Sequence, residues 1–139
     1  MTGISMLDKC ISYNNYLSVE NVVKALGISD YESLDKLFIN ICNADRVQSI
    51  ELIESIYRQG KDLKLFIKQF IQYILDVCKY QIYNNYDYIQ IPNTIDIKAY
   101  AYYEYEKLLN ILDEIIQLSN QIKYEQNPKV LIESKILLL

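Results

Sequence analysis

The stretch from Lys61 to Tyr83, KDLKLFIKQFIQYILDVCKYQIY, decides the fold. Within it Leu63, Phe66, Ile67, Phe70, Ile71, Ile74 and Cys78 recur in steps of three and four, the spacing that lines up side chains on one face of an α-helix. The seam runs for more than four turns with neither glycine nor proline inside it, which predicts a central core helix. Such a helix needs other amphipathic helices around it, and the chain supplies them on both sides. Upstream, Asp45–Gln59 carries Val47, Ile50, Ile53 (or Leu52) and Ile56 before Gly60 stops it, with Glu54 and Arg58 one turn apart. Ahead of that, Ser29 and Glu32 form a capping box opening a helix with apolar face Leu34, Leu37, Phe38 and Ile41, which ends near Asn43; Glu32 and Lys36 pair on its outside. The two read as a hairpin. Further upstream, Ser18 caps Val19–Leu26 and Gly27 closes it, and a short helix over Ile4–Tyr13 carries Ile4, Leu7 and Ile11.

Downstream, Asn84 to Asn93 breaks the rhythm and reads as an ordered loop anchored by Tyr86, Tyr88, Ile89 and Ile91, whose alternation has no partner strand elsewhere. Thr94 is expected to cap the longest helix, to about Gln126, which changes from tyrosines (Tyr100, Tyr102, Tyr103, Tyr105) to aliphatics (Leu108, Leu109, Ile111, Leu112, Ile115, Ile116, Leu118, Ile122). Its apolar arc is wide enough to bury two sides, within its own domain or against another chain. After Asn127-Pro128 a last helix, Lys129–Leu139, ends in Ile136-Leu137-Leu138-Leu139, too apolar for a free tail. The fold expected is all-α: one compact domain of about five to seven helices.

Composition narrows the chemistry. The 139 residues, 51% hydrophobic and 23% charged, suffice for a core without a disulfide or metal staple. The chain has no histidine, which removes Ser-His-Asp and Cys-His catalysis and histidine-bearing zinc sites. Cys10, Cys42 and Cys78 stand far apart and read as buried apolar residues in a reducing compartment. A net charge of −4 opposes autonomous nucleic-acid binding, and the basic stripe Lys61, Lys64 and Lys68 reads as a solvated face. Gly3, Gly27 and Gly60 belong to no phosphate-binding loop, and carboxylates such as Asp113 and Glu114 read as solvated. No cofactor, metal or catalytic residue is assigned. With no membrane-length apolar run and no signal-peptide pattern, a cytoplasmic location is the expectation.

The order of several segments resembles a known family, the third domain of the bacterial DNA polymerase III gamma/tau subunit, which forms the collar of the replicative clamp loader. Gly3-Ile4-Ser5-Met6-Leu7-Asp8-Lys9 looks like the last helix of that subunit's lid domain, and Leu17–Val23 with Leu26-Gly27 like the helix and stop that follow. Gly60-Lys61-Asp62-Leu63 with Phe66 is similar to the family's Gly-Lys-Asp-Leu turn between two collar helices. Asn127-Pro128 followed by Val130-Leu131-Ile132-Glu133 and Ile136 looks like its closing helix. The resemblance implies a remnant of the lid helix over residues 1–14 and a helical collar domain over 15–139. Met1-Thr2 stand where the family has its nucleotide-sensing Arg-Asp pair, so ATP hydrolysis is expected to lie in modules outside this sequence.

The function then implied is non-catalytic: joining gamma/tau copies to one another and to the delta and delta-prime subunits in a ring, so that ATPase modules can load the sliding clamp. Polymerase-core binding belongs to other segments of the family and is not carried over. The residues alone also allow a stand-alone helical adaptor that docks a partner's helix, and, with no convergent polar set to define it, a ligand-binding bundle. Tyr102, Leu109, Ile116, Leu137 and Leu138 are the interface candidates, on the less certain side of the last two helices. Charge substitutions there are expected to break assembly without unfolding the domain.

Overall fold

Five α-helices and one 3₁₀ turn, without a strand, make up the residues described by the computed structural model, 28–139. The expected helices over Ile4–Tyr13 and Val19–Leu26, Cys10, and the boundary after residue 14 lie outside the described residues. The elements are α1 (Ile28–Cys42), α2 (Arg46–Arg58), α3 (Leu63–Tyr83), the 3₁₀ turn (Lys98–Tyr102), α4 (Tyr105–Gln121) and α5 (Pro128–Leu138). Tyr31 to Leu139 form one compact unit.

The α1 face is as expected, with Leu34, Leu37, Phe38 and Ile41 all buried. Asp45 then caps α2 by accepting a hydrogen bond from the Gln48 N–H. The face of α2 is as expected at Ile53 and Ile56 and differs in its first turn. Val47 points outward, whereas Ser49, Ile53 and Ile56 are buried. Ser49 can sit in the core because its hydroxyl donates to the Asp45 carbonyl at 2.9 Å, so no polar group is left bare. Gly60, at φ +76°, makes the left-handed turn into α3.

α3 is the centre of the packing. One carboxylate oxygen of Asp62 caps it, accepting from the Lys64 N–H at 3.0 Å and the Leu65 N–H at 3.2 Å. Asp62→Ala should lower stability by about 1 kcal/mol, the usual size of a lost N-cap, read as a lower denaturation midpoint with an unchanged slope. The predicted seam is buried except for Ile71, which is half-buried, and α4 packs antiparallel against it. At one end Lys64 Nζ donates to the Lys123 carbonyl; at the other, Gln81 Nε2 donates to the carbonyls of Tyr100 and Tyr103.

Those last two bonds correct the sequence reading. Thr94 caps no helix, and the segment expected to run to about Gln126 is irregular to Ile97, 3₁₀ over Lys98–Tyr102 and extended at Tyr103, with α4 starting only at Tyr105 and ending at Gln121. Gln81 takes up the two carbonyls at the break, and the phenol of Tyr100 is held from below by Asp35. Side-chain partners thus replace the helical ladder here. The longest described helix is α3. The preceding loop is ordered as expected: Ile91 and Ile97 are buried, and the Tyr86 hydroxyl donates to the Ile95 carbonyl at 2.7 Å, while Tyr88 is exposed.

α5 docks by Ile132 and Ile136, chiefly on α2. Lys129 bridges to Glu54 at 2.7 Å, which takes Glu54 across to α5 instead of leaving it to Arg58 alone, and Lys135 reaches Glu114 of α4 at 2.7 Å. Arg46 at the start of α2 donates to the carbonyls of Leu137 and Leu139.

Candidate interaction surface

α4 buries one stripe, Leu108, Ile111, Ile115, Leu118 and Ile122, in its own domain. Its second apolar stripe stays open: Leu109 and Ile116 are 36% and 40% exposed, with Leu112 half-buried between them. Of the expected two buried sides, the domain itself covers one. The other candidates are open too, Tyr102 at 91%, Leu137 at 53% and Leu138 at 81%.

They do not form one patch. Glu114, which meets Lys135 of α5, lies about 150° around the α4 axis from the Leu109–Ile116 stripe at 100° per residue. The stripe therefore sits on the flank of α4 turned away from α5, and Leu137 and Leu138 lie elsewhere. Tyr102 stands in the 3₁₀ turn at the N-terminal end of α4.

The sequence reading missed the stripe's neighbour. Tyr73 reaches Asp35 of α1, and Lys107 reaches the Cys42 carbonyl at the end of α1. Two residues on, about 160° round each axis, come Leu75 and Leu109, so both look to the opposite side of the α3–α4 pair. On α3 that outer line is Ile71, Leu75 and Ile82, the first two half-buried and Ile82 exposed. Their spacing of four and seven was legible as a second stripe, but Ile71 had been absorbed into the core seam.

Two carboxylates, Asp35 half-buried and Asp76 buried, are tied into the packing. Asp35 accepts hydrogen bonds from the phenols of both Tyr73 and Tyr100, and burial followed by that carboxylate pushes both phenols far above their usual range. Asp76 accepts from Gln72 Nε2 at 2.8 Å and from the Gln90 N–H at 3.1 Å, tying the loop to α3. Both carboxylates are taken up by these hydrogen bonds within the fold. A shallow cavity of about 290 Å³ is lined by Cys42, Asn43, Tyr103, Glu104, Lys107 and Leu108. Burial pushes the Cys42 thiol up to about 11, only partly offset by Lys107, so it is no nucleophile at neutral pH. Cys78 is buried as expected. Among the described residues no group of three His, Cys, Asp or Glu could hold a metal ion, and no helix is long and apolar enough to cross a membrane.

What these elements offer is open apolar helix surface on a rigid frame, the equipment of a helical packing module. The chain belongs to the family described as DNA polymerase III subunits gamma and tau domain III, which it matches over residues 17–104. The described part of that match takes in α1, α2, α3 and the 3₁₀ turn and stops just before α4. No curated protein and no solved structure matches the chain.

Proposed function

We propose that this chain is the collar domain of a clamp-loader gamma/tau subunit, a non-catalytic module that holds subunits together so that ATPase modules outside it can load the sliding clamp in DNA replication. Its partners are further copies of the same chain and the delta and delta-prime subunits, in the cytoplasm and without direct contact to nucleic acid. On this reading residues 15–139 are the collar, and residues 1–14 the remnant of a lid helix. Family membership supports it, and the observation that carries it is the pair of separate apolar patches, Leu109 with Ile116 on α4 and Leu137 with Leu138 on α5. A module that touches more than one neighbour needs more than one such patch. Holding ATPase modules together raises their effective concentration for one another, which a joining domain achieves without chemistry of its own.

The test is co-purification of the chain with delta and delta-prime. Leu137→Glu together with Leu138→Glu should weaken that association at least tenfold while the melting temperature stays within about 2 °C of the parent, since both side chains are exposed. A chain that binds neither subunit at micromolar concentration, yet captures an isolated amphipathic helix, would overturn the collar reading in favour of a stand-alone adaptor.

A further inference from the structure

The contact between α2 and α5 brings two carboxyl groups together against one ammonium. Lys129 Nζ meets Glu54 Oε2 at 2.7 Å and lies 4.9 Å from the centre of the Tyr57 ring, one turn further along α2. Glu133, one turn on from Lys129 along α5, shares a side-chain hydrogen bond with the same Glu54. Its oxygen Oε2 is buried and has no hydrogen-bond partner. An ionised carboxylate only accepts, so two carboxyl groups can share a hydrogen bond only when one of them carries a proton. The ammonium stands on Glu54, which places the proton on Glu133, and Glu133 donates to Glu54. The bare oxygen agrees with this placement, since it costs far less on a neutral carboxyl than on a charged one.

We propose that this cluster is a proton-operated clasp on α5: a proton on Glu133 holds the last helix to α2, and loss of that proton to solvent loosens it. With the proton in place the cluster balances one negative charge, Glu54, against one positive charge, Lys129. Without it, two carboxylates at hydrogen-bonding distance share one ammonium, and the added charge falls on a partly buried group. α5 is the element that can yield. Ile132 and Ile136 are its buried side chains, and its remaining ties are the bonds from Arg46 to the Leu137 and Leu139 carbonyls and from Lys135 to Glu114. A helix with so little buried surface opens at the low end of local stabilities. The clasp stands without the collar reading; that it also governs how firmly the Leu137 and Leu138 patch is held rests on that reading.

The charges that act on Glu133 are Glu54 and Lys129. Of the others on the packed elements, Arg58 of α2 acts on Glu54, Lys135 of α5 is turned to Glu114 of α4, and Lys64 of α3 is taken up by the Lys123 carbonyl. Burial first, and then the bond to Glu54, push the Glu133 carboxyl above its usual range. The bond from Lys129 first, and then that from Glu133, hold the Glu54 carboxyl below it. A raised carboxyl favours the seated helix in acid, and its contribution fades as pH rises through the raised value of Glu133. A lowered one favours it above the usual carboxylate range, and its contribution is lost as pH falls through the lowered value of Glu54. α5 is therefore held most firmly between the two values, and Glu133 releases it on the alkaline side.

The test is a pair of measurements on the 139-residue chain between about pH 4 and pH 8. The first follows the side-chain carboxyl carbons by NMR: Glu133 should titrate above the usual glutamate range and Glu54 below it. The second follows hydrogen exchange of the α5 amides, corrected at each pH for the intrinsic rate, and so reads the opening of that helix. Protection of α5 should fall by about threefold or more as Glu133 ionises. Glu133→Gln keeps a donor for Glu54 and carries no charge, so in this variant the fall should vanish and protection should keep its acid value. Glu54→Gln removes the other half of the like-charge pair and should abolish the fall as well. A Glu133→Gln variant that lowers protection equally at every pH would mark a merely structural role and overturn the clasp. So would a Glu133 that titrates at or below the usual range, a protection unchanged across its titration, or a fall that survives in Glu133→Gln. None of these outcomes alters the co-purification with delta and delta-prime, so the clasp and the collar reading fail separately.

Discussion

Phe38→Ala should lower the stability of the domain by about 4 kcal/mol, a fall in melting temperature of about 15 °C by calorimetry. Phe38 is completely buried and is the hub of an aromatic cluster. Its ring meets Tyr73 edge-on at 5.9 Å and Tyr100 edge-on at 4.9 Å, and stacks on Tyr103 at 5.9 Å. Removing it takes away one large side chain and three ring contacts, and leaves a cavity whose walls are pinned in place. Tyr73 and Tyr100 cannot collapse into the space without giving up their shared acceptor, Asp35. The loss should therefore lie at the upper end for a large-to-small change. It should also loosen the 3₁₀ turn preferentially, since Tyr100 and Tyr103 are two of its ties to the core; faster amide exchange at residues 98–104 than in α3 would show this.

Asp76→Ala should cost about 3 kcal/mol, whereas Asp76→Asn should stay within about 1 kcal/mol at neutral pH. The carboxylate is buried in α3 and accepts from the Gln90 N–H, so alanine strands a buried backbone donor and frees the loop. Asparagine keeps the acceptor for Gln90 with its oxygen, and its amide can donate to Gln72 once that side chain turns its oxygen inward. The two variants also differ in their response to pH. Burial raises the Asp76 carboxyl above the usual carboxylate range, against the lowering effect of its hydrogen-bond donors. A group whose folded value is raised favours the fold in acid, and that contribution fades as pH rises through the raised value. Asp76→Asn should accordingly flatten the stability profile above about pH 4, the ordinary carboxylate value. A variant that retained the parent's slope there would show that Asp76 does not titrate with folding.

The helices were legible in the sequence to different degrees, for identifiable reasons. α1 and α3 were legible because their buried apolar side chains recur at helical spacing, from Leu34 to Ile41 and from Leu63 to Cys78, with Asp76 the one buried carboxylate among them. α2 was legible at Ile53 and Ile56 but not in its first turn, where a serine on the core side and a valine on the outside invert the usual pattern. Ser49 is satisfied by its own first turn, and nothing in a polarity pattern reports that. The break between Thr94 and Tyr105 was invisible because it is imposed by Gln81, a residue of another helix. A tertiary bond overrode a helical propensity that was genuine.

Of the candidate surface, all five side chains chosen from the sequence are exposed, including Leu109 and Ile116 on one stripe. Their division into two separate flanks was not legible, because it depends on which side of α4 the last helix occupies. Asp35 and Asp76 were equally hidden: on a helical wheel each looks like one more solvated carboxylate, and only the tyrosines and the loop packed over them show otherwise.

The bonds from Arg46 to Leu137 and Leu139 span more than ninety positions of the chain, and Lys129 to Glu54 spans seventy-five. By contrast, α3 and α4 are separated only by residues 84–104, a much smaller span of chain. Closing a long loop carries the larger entropic penalty and returns nothing until both ends are shaped to fit. The order of events during folding follows: the α3–α4 hairpin forms early, and the seating of α5 against α2 is the closing step, so substitutions at Ile132 or Ile136 should quicken unfolding and leave the refolding rate almost unchanged.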